Sequence, residues 1–197
     1  MEASEPSKFK TKEDTFLKEF TEARNLKYFE LKLNFRKLQN EDFERGFLDT
    51  LSCLTSVGET TKEQYAERFR RLGLADSNNY KIIVCIDEAT DRVIASGTVL
   101  LELKFIRNLG IWGHIEDVSV HSDYSGKKIG LHMVYILKEI CKINLWYKVI
   151  LDCSHDLAAF YKKNGFNEKG VQMAWYNTDV VEHKPTNYEL PATFGDI

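Results

Sequence analysis

The chain has 197 residues, 43% of them hydrophobic, with 27 Lys and Arg against 30 Asp and Glu. This length allows one sizeable core and argues against a second domain. A formal net charge of −3 leaves no basic excess for a nucleic-acid backbone or an anionic membrane surface. The longest uncharged apolar run, at 93–101, is about half of the ~20 residues that a spanning helix needs. We therefore expect neither nucleic acid nor a membrane as a partner.

The N-terminal residues and the cysteines favour a cytoplasmic protein. The first ten residues, MEASEPSKFK, are polar and acidic, which is typical of neither a secretory signal nor a transit peptide. The four cysteines Cys53, Cys85, Cys141 and Cys153 form no CxxC pair and have no His at metal-ligand spacing. We expect no zinc site and no disulfide framework, and at least three of the cysteines should be small buried hydrophobes.

The first third of the chain predicts an extension, a strand and two helices. Residues 1–27 are rich in Lys, Glu, Ser and Thr, with apolar residues spaced for one weakly amphipathic helix from about Thr11. From Tyr28 to Arg36 apolar and polar residues alternate, which predicts a half-buried strand. Helices are predicted over 40–54 and 61–72, the second with Thr60 or Thr61 as its cap.

The rest of the chain alternates strands with helices. Strands are predicted at 80–87, 92–104 and 111–120, a helix at 127–142, a strand at 147–153, a short helix at 155–164 and a last strand at 169–176, before a tail at 177–197. This order predicts a mixed α/β fold with a central sheet.

Two groups of residues are candidates for chemistry. A glycine-containing loop, Tyr124–Gly130, opens the helix at 127–142, and free N–H groups at a helix start bind phosphate. On spacing alone a plain helix cap explains this loop equally well. The second group comprises Glu116 and Asp117 on one strand, Asp152 at the end of another, and Tyr161. If these strands are neighbours, the group supplies a carboxylate base and a phenol as proton donor, although each residue taken singly fits a structural role.

Four segments carry a resemblance to a known family. They read GHIEDVSV at 113–120, YSGKKIG at 124–130, YKVILDCS at 147–154 and AAFYKKNGF at 158–166, supported by LTSVGET at 54–60 and LELKFI at 101–106. Over about residues 31–176 the chain resembles the GNAT acetyltransferase superfamily and, within it, the glucosamine 6-phosphate N-acetyltransferases. The resemblance implies a mostly antiparallel, twisted sheet flanked by helices and splayed between its two middle strands. It also implies direct acetyl transfer from acetyl-CoA to the sugar amine in a ternary complex, without a metal.

The resemblance also implies roles for individual residues. Glu116 and Asp152 would deprotonate the amine, directly or through water, and Tyr161 would stabilise or protonate the departing thiolate. The implied cofactor-binding residues are Val118, Ser119, Val120, Ser125, Gly126, Lys127, Lys128, Ile129, Gly130, Cys153 and Tyr161. The implied sugar-binding residues are Thr55, Lys104, Phe105, Ile106, Arg107, Glu116, Asp117, Val118, Tyr147, Lys148 and Tyr176. The family is a homodimer with shared sites, so Tyr147 and Lys148 would reach the sugar bound mainly to the other subunit.

The chain departs from the family pattern at five positions. Ser125 stands where Gln or Arg is usual, Lys128 where Gly is frequent, and Leu157 in the place of a cofactor-contacting Asn. Tyr176 stands where a phosphate-binding Arg is expected, and Arg107 replaces a His and can supply that cation. These departures leave open an enzyme for another small amine, or a catalytically silent acetyl-CoA-binding paralogue. The expected division is an extension at 1–27, the acetyltransferase domain at 28–176 and a tail at 177–197.

Overall fold

A computed structural model of the protein describes residues 11–25, 31–74 and 79–175. Its helices are α1 (Lys12–Asn25), α2 (Phe47–Ser52), α3 (Lys62–Arg71), α4 (Ile106–Leu109), α5 (Ile129–Ile143) and α6 (His155–Lys162). Its strands are β1 (Leu33–Lys37), β2 (Tyr80–Asp87), β3 (Arg92–Leu103), β4 (Ile111–Val120) and β5 (Lys148–Leu151). The strands form one sheet in the order β1-β2-β3-β4-β5, antiparallel except for the parallel pair β4 and β5. The predicted mixed α/β fold is confirmed.

Helices cover both faces of the sheet. Alternate residues of β2 point to opposite sides, so Ile83 and Cys85 pack in one cluster while Ile82 and Val84 pack in the other. The first cluster lies under α5 and α1, and the second lies under α2 and α3. The apolar face predicted for the 127–142 helix is buried, as its spacing requires. No helix among the described residues combines the length and apolarity needed to cross a bilayer.

A buried ion pair fixes α1 against this core. The Glu13 carboxylate lies 2.8 Å from Lys81 Nζ of β2, and both side chains are 7% exposed. Asn144, just after α5, donates a second hydrogen bond of 2.7 Å to Glu13. Burial raises the pKa of Glu13, but hydrogen bonds from Lys81 and Asn144 outweigh it and lower the pKa overall. The predicted helix of the extension is therefore packed on the sheet, with Leu17 and Phe20 buried.

A β-bulge bends β4 in its second half. Ser96 pairs with Ser119 and Thr98 with Glu116, so two β4 residues, Asp117 and Val118, oppose Gly97 alone. Asp117 has a φ of 51°, in the left-handed region. A bulge of this kind bends its strand and turns the local side chains in a new direction.

The parallel pair β4 and β5 is short. It joins Trp112–Ile115 to Lys148–Leu151 and stops there. From Glu116 onward, no strand in the described part of the chain pairs with β4 on that side. The two strands therefore separate at the bulge and leave a wedge-shaped opening at the edge of the sheet.

Three predictions need correction. The helix expected over 40–54 is a 3₁₀ turn (Asn40–Phe43) followed by α2, because Gly46 between them has a left-handed φ of 78°. The last strand, expected at 169–176, is absent over 169–175, where the described backbone has no strand partner and Trp175 is exposed. Only two of the four cysteines are buried, since Cys53 and Cys153 are exposed. Tyr28, Tyr176 and the tail at 177–197 lie outside the described residues.

Gly97, opposite the bulge, leads to a stability prediction. A Cβ atom at this position would lie 2.8 Å from Leu137 Cδ1 and from Met133 Cγ, in the fully buried interface of β3 with α5. We expect Gly97→Ala to lower the free energy of unfolding by about 1–3 kcal/mol through overpacking, measured by urea denaturation. Gly170→Ala is the matched control because nothing lies within 4 Å of its Cβ position, and it should change stability by less than about 0.5 kcal/mol. Equal stability of the two variants would contradict the close packing at Gly97.

Candidate active site

A cavity of about 650 Å³ lies along the second half of β4, beyond the residues that pair with β5. The lining residues come from the second half of β4, the loop before α5, the first turn of α5, and α6. They are Val118, Val120, Tyr124, Ser125, Gly126, Lys128, Ile129, Gly130, Leu131, Leu157, Phe160, Tyr161 and Lys163. The cavity is therefore apolar along β4 and α6 and polar at the start of α5, which suits an elongated ligand with an anionic end.

The backbone at the start of α5 is shaped for close approach. Gly126 has a φ of 76° and Lys128, the N-cap of α5, a φ of 62°. A Cβ atom on Gly130 would lie 3.3 Å from Val120, so the helix start lies tightly against β4. The first N–H groups of an α-helix have no partner within the helix, and the helix dipole favours negative charge there. This end of the cavity has the chemistry of a phosphate or pyrophosphate site.

A buried carboxylate anchors the loop that leads to α5. The Tyr124 hydroxyl donates a hydrogen bond of 2.6 Å to Asp87 Oδ2 at the end of β2. This hydrogen bond, together with burial, raises the pKa of Tyr124. Lys127 Nζ lies 5.2 Å from the centre of the Tyr124 ring. No local pattern in the sequence reveals this anchor, because 37 positions separate its two residues and only the folding of the sheet brings them together.

The predicted carboxylates meet at the point where the strands separate. His114 of β4 lies between them, with Nε2 3.1 Å from Asp152 Oδ2 and Nδ1 3.7 Å from Glu116 Oε1. Tyr161 lines the adjoining cavity, and burial, followed by the nearby Cys153 thiol, raises the pKa of its hydroxyl. That hydroxyl therefore keeps its proton at neutral pH and is able to donate it. Among the described residues, no cluster of three or more His, Cys, Asp or Glu side chains is arranged to hold a metal ion.

Several cations lie beside the carboxylates, near the start of β4. Lys104 and Lys148 both approach the Trp112 ring, with Nζ atoms 4.4 and 3.7 Å from its centre. The Arg107 guanidinium lies 5.6 Å from the centre of the Tyr147 ring. Positive charge held on aromatic rings at the rim of an opening is suited to an anionic group of a substrate.

The structure brings together most, but not all, of the residues that the sequence singled out. Eight of the eleven candidate cofactor residues line the cavity, and the other three are Ser119, Lys127 and Cys153. The Ser119 hydroxyl donates to the Thr50 carbonyl, Lys127 lies over Tyr124, and the exposed Cys153 lies near Tyr161 without lining the cavity.

The candidate sugar residues fall into separate places. Lys104 and Lys148 lie on the Trp112 ring, and Arg107 lies on the ring of Tyr147, which precedes Lys148. Thr55 is exposed after the end of α2, and Phe105 and Ile106 are exposed in the turn after β3. His114, Trp112 and Glu102 were missed by the sequence reasoning. The only signal for His114 and Trp112 was that both share a strand face with Glu116.

Comparisons with known proteins agree with this geometry. Residues 78–168 match the family described as acetyltransferase (GNAT) domain. Glucosamine 6-phosphate N-acetyltransferase 1 of Dictyostelium discoideum is 43% identical over 144 residues, which cover 73% of this chain and 90% of that protein. The enzyme of the same name from Candida albicans is 40% identical over 139 residues, covering 71% and 92%. The crystal structure of glucosamine-6-phosphate N-acetyltransferase from Arabidopsis thaliana has a TM-score of 0.70 and 40% identity, covering 73% of this chain and 97% of that one.

Proposed function

We propose a residue-level mechanism for this chain from the premise that it belongs to the glucosamine 6-phosphate N-acetyltransferases of the GNAT superfamily. It is an acetyl-CoA-dependent N-acetyltransferase that converts D-glucosamine 6-phosphate to N-acetylglucosamine 6-phosphate. The observation that carries the mechanism is the meeting of Glu116 and Asp152, through His114, where the pairing of β4 with β5 ends. Tyr161, the proposed acid, lines the cavity along the second half of β4.

The cavity fits acetyl-CoA in shape and in charge. Its pyrophosphate would be held by the N–H groups at the start of α5, where the left-handed backbone at Gly126 and Lys128 exposes them. The pantetheine arm would lie between β4 and β5, where the backbone of β4 beyond Ile115 lacks a strand partner on the β5 side among the described residues. Leu157 and Phe160 provide apolar wall on the opposite side.

The chemistry requires a base, a site for developing negative charge and an acid. The bound thioester supplies an electrophilic carbonyl, so a C–N bond forms as the C–S bond breaks. Asp152 or Glu116 takes the proton from the amine, directly or through one water. The Val118 N–H, at the bulge, would donate to the carbonyl oxygen as it gains charge. Tyr161 gives its proton to the departing sulfur and regains one from solvent or the carboxylates.

The sugar phosphate would be bound by the cations near Trp112. Lys104, Lys148 and Arg107 supply positive charge within one region of the surface. Arg107 has a left-handed φ of 57°, which sets it out from the sheet over Tyr147. Arg107 would bind the phosphate in place of the Arg that the family has at the position of Tyr176. Asp117 and Thr55 would bind sugar hydroxyls.

A homodimer is part of the same proposal. The turn after β3 and the turn before β5 form one exposed apolar patch, comprising Leu103, Phe105, Ile106, Leu109, Leu145 and Tyr147. Tyr147 N–H donates to the Ile111 carbonyl, so the two turns are adjacent. Exposed apolar patches on soluble proteins mark interaction surfaces. A second copy on this patch would lie beside Tyr147 and Lys148, so that two active sites share residues.

The product of the reaction indicates the pathway, and the free cysteines favour a reducing compartment. The product is a precursor of UDP-N-acetylglucosamine, and we assign the chain to that pathway in the cytoplasm. All four cysteines are free, including the exposed Cys53 and Cys153, in keeping with a reducing compartment.

Steady-state assays of thiol release test the mechanism. Wild-type protein with acetyl-CoA should turn over glucosamine 6-phosphate in preference to a panel of other amines. Asp152→Asn and Tyr161→Phe should each lower kcat by about 100-fold or more, because one removes the base and the other the acid, while CoA binding persists.

Asp156→Asn and Tyr135→Phe are the matched controls, since neither residue lines the cavity. Wild-type kcat in both active-site variants would contradict the assignment, and no turnover with any amine would indicate a silent paralogue.

Tyr124→Phe tests how the loop before α5 is held. Removing the hydroxyl breaks the hydrogen bond to Asp87, which should cost about 1–2 kcal/mol in loop ordering. We expect CoA to bind about 5- to 30-fold more weakly by calorimetry, with kcat at saturating acetyl-CoA little changed. Unchanged CoA affinity would show that the anchor does not organise the site.

Leu145→Asp tests the dimer. Leu145 is 90% exposed and has a left-handed φ of 59°, which Asp tolerates, so the monomer fold should be kept. We expect wild-type protein to sediment at twice the monomer mass and Leu145→Asp to shift towards the monomer. Ala89→Asp adds the same charge in the remote β2–β3 turn and should leave the mass unchanged. A monomeric wild type would contradict the proposal.

A further inference from the structure

His114 lies on the polar face of β4, next to residues already assigned to catalysis. Trp112, His114 and Glu116 alternate along one side of the strand, while Gly113 and Ile115 face the core on the other. The His114 side chain is 20% exposed, and it pairs across the sheet with Leu100 of β3 and Ile150 of β5. Only one further pair, Ile115 with Leu151, follows it before the pairing of β4 and β5 ends.

Asp152 depends on His114 for its orientation. It follows the last residue of β5, so no strand pairing fixes it, and its side chain is 44% exposed. Within the described residues, its one side-chain hydrogen-bond partner is His114 Nε2, at 3.1 Å from Oδ2. Because an ionised carboxylate only accepts, Nε2 carries the proton in this hydrogen bond. Oδ1 has no hydrogen-bond partner among the described residues, so it is available to the amine.

Glu102 lies on the other side of the imidazole, where Glu116 also approaches Nδ1. Its Oε1 lies 3.4 Å from His114 Nδ1, and its Oε2 accepts a hydrogen bond of 2.7 Å from Trp112 Nε1. Lys104 also donates to Glu102, and this hydrogen bond, with that from Trp112, lowers the pKa of the carboxyl. Glu102 is thus an ionised acceptor fixed by two donors. A chain of contacts runs from Trp112 through Glu102 and His114 to Asp152.

We propose that His114 is the positioning residue that sets the Asp152 carboxylate for its role in the reaction. This inference rests on the proposed function and takes Asp152, of its two candidate carboxylates, as the base that removes the proton of the amine. His114 itself transfers no proton; it fixes Oδ2 so that Oδ1 meets the amine at hydrogen-bond distance. A base that is misplaced by about 1 Å can lose about 100-fold in rate, which sets the scale of the expected effect.

Two amide substitutions at His114 carry the same polar group on side chains of different length, so they test whether contact with Asp152 is what matters. In His114→Gln the amide nitrogen extends to about the Nε2 position and can still donate to Asp152. In His114→Asn the same group stops near Nδ1, so it can contact Glu102 but does not reach Asp152. We expect His114→Asn and His114→Leu to lower kcat by about 10- to 100-fold with an unchanged KM for acetyl-CoA. His114→Gln should stay within about 5-fold of wild type.

A double-mutant cycle with Asp152→Asn tests whether His114 acts through Asp152. In the Asp152→Asn background, His114→Leu should cost less than about 3-fold in kcat, because no carboxylate is left at position 152 for His114 to position. An equal loss in both backgrounds, or wild-type kcat in His114→Asn, would overturn the proposal. Unfolding curves are measured for all variants. If His114→Leu folds poorly, the comparison of kcat between His114→Gln and His114→Asn still tests the proposal. Wild-type turnover of glucosamine 6-phosphate is measured alongside, and its absence would reject the proposed function instead.

Discussion

The site depends on one constraint, the early end of the parallel pairing between β4 and β5. The two strands pair over four residues, up to Ile115 and Leu151, and the bulge at Asp117 and Val118 then bends β4 away. Gly97, opposite the bulge, lets α5 pack directly on β3 at this point. This irregularity in the sheet leaves the second half of β4 unpaired on the β5 side, along the cavity, and lies next to the carboxylates of Glu116 and Asp152.

The two ends of the opening carry different chemistry because different elements form them. At one end, backbone N–H groups of α5 and a loop anchored by Tyr124 to the buried Asp87 provide an anion site. At the other end, side chains of β4 and its neighbours provide carboxylates and cations around His114 and Trp112. An elongated thioester and a small anionic amine can thus approach each other from opposite ends, which suits direct transfer between two bound substrates.

Sequence reasoning predicted what local pattern determines and missed what distant pairing determines. β4 and the buried face of α5 followed from alternation and helical spacing, and the bounds of β4 were predicted to the residue. The contact of His114 with Asp152 spans 38 positions and depends on the β4–β5 register, so no local pattern reveals it. The break at Gly46 was missed because apolar spacing continues across it, although its left-handed backbone ends the helix. The strand predicted to end at Tyr176 had the right alternation but lacks a partner strand over its described residues.

A crystal structure with CoA and N-acetylglucosamine 6-phosphate bound together tests the central claim, that the opening between β4 and β5 is the reaction centre. The account predicts the pyrophosphate on the first turn of α5 and the CoA sulfur beside the Tyr161 hydroxyl. The product nitrogen should lie about 3 Å from a carboxylate oxygen of Asp152 or Glu116, or one water away. A sugar bound away from these carboxylates, or a pyrophosphate away from α5, would contradict it.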